Sequence, residues 1–145
     1  MSRQILTSLA ALAFCTSLGW ADEVPGELTG HWGEDSHCAA QADAGVDAVV
    51  ESAGDAPYRF EGQWISRWHF YCRVLRLDDF GERDGAQTWR ARVLCGEDTV
   101  ERPYELDLVR RGDTLSLTWL AMDENGRFLE PWNSGPFRQC TPPQS

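Results

Sequence analysis

The sequence predicts an all-β fold: an antiparallel up-and-down meander that closes, or nearly closes, into a small barrel with one short N-terminal helix. Three observations carry this. Two arms of alternating residues, 63–77 and 87–95, match each other in register around Cys72 and Cys95. A second pair of arms does the same around Gly112-Asp113. Successive apolar runs are joined by short turns bearing glycine, asparagine or aspartate, which is the spacing of a meander.

Residues 1–21 carry Arg3, an apolar run from Ile5 to Leu18, and small residues at Gly19 and Ala21 ahead of the acidic Asp22-Glu23. This is the layout of a cleaved secretory signal, and the apolar run is too short for a stable membrane anchor. Cys15 follows the bulky Phe14, where a lipoprotein site wants a small residue. Residues 22–145 then form one disulfide-linked β domain, periplasmic or secreted, with no membrane insertion after cleavage.

The segment from Leu28 opens with a short strand, Gly30-His31-Trp32-Gly33, and Glu34-Asp35-Ser36 starts a helix that runs to Gly45. Residues 46–52 are expected to extend as a strand, and Gly54-Asp55-Ala56-Pro57 breaks the chain before the alternating Tyr58-Arg59-Phe60-Glu61. In the first long arm Trp64, Trp68, Phe70, Cys72 and Val74 form one inward row with period two. In the second, Trp89, Ala91, Val93 and Cys95 do so, with an acidic loop over 78–85 between the arms. If Cys72 faces Cys95, Val74 faces Val93, and a slip of one residue would destroy both inward rows. Past Cys95, Pro103 marks an edge or irregular start of the next strand. The Gly112-Asp113 turn then sets Leu108 opposite Leu117 and Leu106 opposite Trp119. Asn125-Gly126 marks another hairpin before Phe128-Leu129, residues 131–136 read as a loop, and Phe137 to Cys140 as the closing strand.

Without the leader four cysteines remain, an even number, as expected of a disulfide framework in an exported small domain. Four cysteines allow three connectivities. Directly opposed antiparallel residues lie within disulfide reach, so the register favours Cys72–Cys95 and leaves Cys38 for Cys140. Structural zinc is disfavoured, because no two cysteines stand in a C-x-x-C spacing.

The chain carries 23 acidic against 13 basic residues, a formal net charge of −10, and every basic residue is arginine. Such a surface repels phosphate backbones and anionic headgroups, which argues against nucleic acid as a partner. His31, His37 and His69 are far apart and show no metal-ligand spacing. Ser66 and His69 stand three apart on one expected strand, which sends them to opposite faces, so no nucleophile–base pair is expected. Asp78, Asp79, Glu82 and Asp84 supply hard-cation ligand types without the D-x-D-x-D-G order of a calcium loop. No catalytic residue, metal or cofactor is expected.

The tryptophans are the strongest remaining feature. Trp64, Trp68, Trp89 and Trp119 share inward parity and are expected in the core or lining a barrel mouth, with Trp64 and Trp68 as candidate contact residues. Trp132 sits in a Pro/Gly stretch that parity does not explain, which makes it the leading candidate for ligand or partner contact.

Gly30-x-Trp32 on the first strand, the meander of hairpins and Arg138 on the last strand resemble the lipocalin-type calyx. That resemblance implies an apolar barrel interior and a structural cation–π contact between Arg138 and Trp32. The chain lacks that family's long C-terminal helix. Its frame of G-x-W, an early cysteine, W-x-x-x-C and a terminal R-x-C is also similar to small uncharacterised exported proteins of Gram-negative bacteria. The expected function is a noncatalytic exported barrel binding a protein or small-molecule partner. The alternatives are a carrier of a small apolar ligand and a periplasmic inhibitor of a basic enzyme.

Overall fold

A computed structural model describes residues 22–45, 56–97 and 99–141. A 3-10 turn, Gly26–Leu28, precedes β1 (Gly30–Gly33) and α1 (Asp35–Ala44); then follow β2 (Tyr58–Glu61), β3 (Trp64–Arg67) and β4 (Phe70–Arg83). The meander continues through β5 (Ala86–Glu97), β6 (Val100–Arg111), β7 (Thr114–Ala121) and β8 (Trp132–Gln139). Every strand pairs antiparallel with its sequence neighbours, and β8 returns to β1, closing an eight-stranded barrel. The leader and the strand expected over 46–52 lie outside the described residues.

The closing seam is short. Trp32 faces Gln139, Gly33 faces Arg138, and the Cys140 N–H donates to the His31 carbonyl at 2.7 Å. The Cys38–Cys140 disulfide staples this seam by tying α1 to the end of β8. The second disulfide joins Cys72 to Cys95, which face each other across β4 and β5 as the alternation requires, with Val74 facing Val93 behind them. Two disulfides fit an oxidising compartment, extracellular or periplasmic. Among the described residues no helix is long and apolar enough to cross a membrane.

The core is one cluster built from the inward rows. Leu106 and Leu108 meet Trp119 and Leu117 as expected, and Trp32, Trp89 and Trp119 are all buried. These rings and the surrounding Phe60, Ile65, Val74, Val93 and Leu115 expose 0–1% of their surface, so no void wide enough for water lies against them. The middle of the barrel is filled by its own side chains. The N-terminal segment closes the lower end: Leu28 is fully buried, its carbonyl accepts the Trp32 indole N–H at 2.8 Å, and the Val24 N–H donates to Gly62. Helix α1 lies against β1, and the His37 Nδ1 accepts the Glu34 N–H in a reciprocal capping box.

Three readings of the sequence need correction. The arm over 63–77 is two strands, because the chain reverses at Trp68-His69, where Trp68 takes φ +49°. A two-residue turn pairs Arg67 with Phe70 and Ile65 with Cys72, so the inward row is odd-numbered before the turn and even-numbered after it. Ile65 therefore points inward, and Trp64, placed in the inward row by the sequence, stands outside at 49% exposure. Trp68, placed in the same row, sits in the turn with its ring tilted on His69.

The acidic stretch 78–85 is not a loop. β4 and β5 continue through it to a tight Asp84-Gly85 turn, with bulges between Val74 and Arg76 and between Asp79 and Glu82. Past Val74 this part of β4 pairs only with β5. Carboxylates occupy donors along it: Leu77 N–H donates to Asp22 and Gly81 N–H to Asp79. Charges, bulges and occupied donors are the usual protection of a free edge. Residues 131–136 likewise belong largely to β8, which starts at Trp132. Pro103 lies within β6 opposite Leu94, beyond the last pairing with β7, where a missing N–H costs no ladder bond on that side.

Candidate functional site

The upper end of the barrel is an open aromatic mouth. β7 and β8 place Trp119 directly opposite Trp132, so both rings lie on the inward side, one below the other. Their planes are 8° apart with centroids at 5.9 Å. Trp119 is buried, whereas Trp132 keeps 42% of its surface exposed at the rim. Tyr104 meets both rings edge-on, at 6.1 Å from Trp119 and 5.8 Å from Trp132. Phe70, the first residue of β4, adds edge contacts to Trp119 and Tyr104, and Tyr58 stacks on Trp119 from β2. Such tilted and offset pairs hold each other in place: Trp132 makes two ring contacts, to Trp119 and Tyr104, and four more among Tyr58, Phe70, Tyr104 and Trp119 brace those two. The Trp119 indole N–H has no acceptor among the described residues.

Beside this stack an open groove of about 280 Å³ runs between Phe70, Val100, Arg102 and Tyr104, with Cys95 at its floor. Val100, Arg102 and Tyr104 alternate along β6 and share its inward side, since Tyr104 faces Val93 and Arg102 faces Cys95. Val100, Phe128 and Leu129 at this end are more than half exposed. Carboxylates stand nearby in the chain: Glu101 is on the outward side of β6, opposite Gly96, and Glu124 and Glu130 lie on either side of Phe128 in the connection from β7 to β8. None of these three carboxylates makes an ion pair among the described residues.

The other residues singled out by the sequence fall elsewhere. Trp64 is on the outer wall beside Arg73. Trp32 lies buried at the lower end, and Arg138 lines a groove with it; the arginine stacked on a ring is Arg67, 5.1 Å above Tyr58. Ser66 belongs to β3 and His69 to the turn after it, so they sit on different elements. Asp78 pairs with Arg76, and Asp79 accepts from Gln87 as well as Gly81. Among the described residues no group of three or more His, Cys, Asp or Glu side chains is placed to hold a metal ion.

The outer wall between the two ends is laced with charge pairs. Arg90 forms two hydrogen bonds to Asp107, at 2.6 and 2.9 Å, and Arg92 meets Glu105 at 3.2 Å. The bond from Asp107 raises the Arg90 pKa above its ordinary value, partial burial opposing it. Phe70 and Tyr104 were missed as site residues because each lay in a row already explained as core. For Tyr104 the signal was that it is the first aromatic of its row; Phe70 stood mid-row behind Trp64 and Trp68, and nothing in the alternation marked it as a rim residue. Compared with protein-family models, curated proteins and solved structures, the chain matches none.

Proposed function

We propose that the protein is an exported, noncatalytic binding module that docks a basic protein through its aromatic mouth. The observation that carries this is the Trp119–Trp132 stack, an anchored ring with an open face. Pre-ordered aromatic rings lose little freedom on contact and are favoured at the energetic centre of interfaces. An exposed apolar centre with acidic residues on the adjoining segments fits the anatomy of a protein interface, and a chain of net charge −10 attracts a cationic partner from a distance. Arg102, the one cation lining the groove among the described residues, supplies a donor for a carbonyl or carboxylate of that partner.

The filled interior weighs against a carrier that holds a small apolar ligand inside the barrel, because binding there needs a cavity. The helix cap engages His37, and His31 and His69 stand on other elements, so acid–base chemistry gains no support. The leader expected from the sequence and the paired cysteines support export. A closed eight-stranded meander is the architecture that the calyx resemblance implies, and only the architecture is carried over.

The test is photo-crosslinking in the native cells, with the probe placed at Glu130 on the rim or at Arg76 on the outer wall. A discrete basic protein is expected from the rim position alone, weakened by Trp132→Ala and by added salt. Equal labelling from both positions, no discrete rim product, or indifference to both salt and Trp132→Ala overturns the reading.

A further inference from the structure

The lower end of the barrel holds a second recess with different chemistry. An open groove of about 610 Å³ is lined by Trp32, Arg110, Asp113, Arg138, Gln139 and Thr141, next to the Gly112 turn. Carboxylates outnumber arginines in this chain, and the strand arginines Arg59, Arg76, Arg90 and Arg92 each have an acidic partner. Arg110 and Arg138, like Arg67, Arg73, Arg102 and Arg111, have none among the described residues, although Asp113 lines the same groove and Glu27 and Glu82 line an adjoining one that Arg110 also borders.

Both arginines border the recess, and Arg110 is held there by its own turn. The Arg110 Nε donates to the Gly112 carbonyl at 3.1 Å, which fixes the guanidinium over the turn and leaves its terminal nitrogens available. Arg138 stands between Gly33 and Thr114 on the closing seam. The Gln139 amide nitrogen is spent on the Thr29 carbonyl at 2.9 Å, so its oxygen is left as an acceptor. Arg110 from the inward row of β6, Arg138 from the outward row of β8 and Thr141 border one recess, with Asp113 and Gln139 beside them. Guanidinium pairs suit the carboxylate or phosphate oxygens of a small ligand, because each can offer two parallel donors.

We propose that this lower groove is a binding site for a small oxyanion, the carboxylate or phosphate group of a ligand, clamped by Arg110 and Arg138. The site is independent of the mouth: it lies at the opposite end and uses charge where the mouth uses aromatic surface. The net negative charge of the chain opposes long-range attraction, so affinity comes from short-range donor geometry and stays modest.

The experiment follows the arginine Nε–H resonances of the oxidised protein during separate titrations with inorganic phosphate and with citrate, at ionic strength held constant with sodium chloride. Expected is a saturable shift at Arg110 and Arg138 with a half-saturation of about 1 mM, while Arg76 and Arg92 stay still. Arg138→Gln, at an exposed position, raises the half-saturation by about tenfold or more. Arg76→Gln leaves it unchanged. The anion that saturates tells phosphate from carboxylate chemistry. Failure of both anions to saturate by about 20 mM, or equal drift of all arginine signals, overturns the proposal.

Discussion

The rings of Trp119 and Trp132 lie 8° from parallel with centroids 5.9 Å apart, one sealed in the core and the other open at the rim. The stack divides structural from functional cost. Trp119→Ala removes a buried ring and is expected to cost about 3–5 kcal/mol in urea unfolding. Trp132→Ala loses little more than the ring pair, about 0.5–1.5 kcal/mol, yet weakens crosslinking from the rim. A Trp132→Ala loss as large as that of Trp119→Ala would make Trp132 a core residue.

Binding at the mouth should carry the mark of its rim. Glu124→Gln with Glu130→Gln is expected to slow association with the basic partner and flatten its dependence on salt, while dissociation changes little. Stopped-flow traces at low and physiological ionic strength separate the two rates, and a pure change in dissociation contradicts the steering role.

The two disulfides should differ in worth. In the chain-entropy description the Cys38–Cys140 bond, spanning 102 residues, contributes about 4.7 kcal/mol, and Cys72–Cys95, spanning 23, about 3.4 kcal/mol. Replacing Cys38 and Cys140 together by alanine is therefore expected to lower the denaturation midpoint more than replacing Cys72 and Cys95. The reverse order would show that core packing around Cys72 and Cys95, both buried, outweighs loop closure.

On the outer wall, Arg90 and Asp107 are joined by two hydrogen bonds but remain largely in water. A double-mutant cycle on Arg90→Ala and Asp107→Ala should give a coupling of about 0.5–1 kcal/mol that shrinks in salt. The raised Arg90 pKa makes the pair's contribution fully present below the arginine's unfolded value and lost only as pH rises through the folded one. Stability from this pair is therefore flat across neutral pH.

Gly33 is where α1 comes closest to β1. A Cβ built there would sit 2.7 Å from the His37 Cβ and 3.1 Å from Pro57. Gly33→Ala is expected to cost about 1–3 kcal/mol through forced separation of helix and strand, read as a lower midpoint with an unchanged slope. An alanine tolerated without loss would mean that α1 shifts freely.

Much of the barrel was legible because inward rows check one another. Cys72 with Cys95, Leu108 with Leu117 and Leu106 with Trp119 were each placed by alternation, and both disulfides followed. The turn at Trp68-His69 was hidden because it contains no glycine or asparagine and puts a tryptophan at positive φ, an uncommon choice for so bulky a residue. Even-numbered aromatics on both sides of it then mimicked one row. Trp132 was singled out as a loop residue but begins β8, and its place opposite Trp119 depends on the shift between Leu115 and Leu117, which no pattern of alternation reveals. The groove between Arg110 and Arg138 joins strands distant in sequence and was invisible for that reason.

The seam staple also decides how the molecule carries load. Tension applied at the two ends of the chain reaches β1 first, whose few pairs with β2 and β8 peel apart. It then meets Cys38 and passes through sulfur to Cys140, bypassing everything between. The mouth, carried wholly within that bypassed stretch, keeps its shape while the oxidised protein is pulled, and gives way under the same force once the bond is reduced.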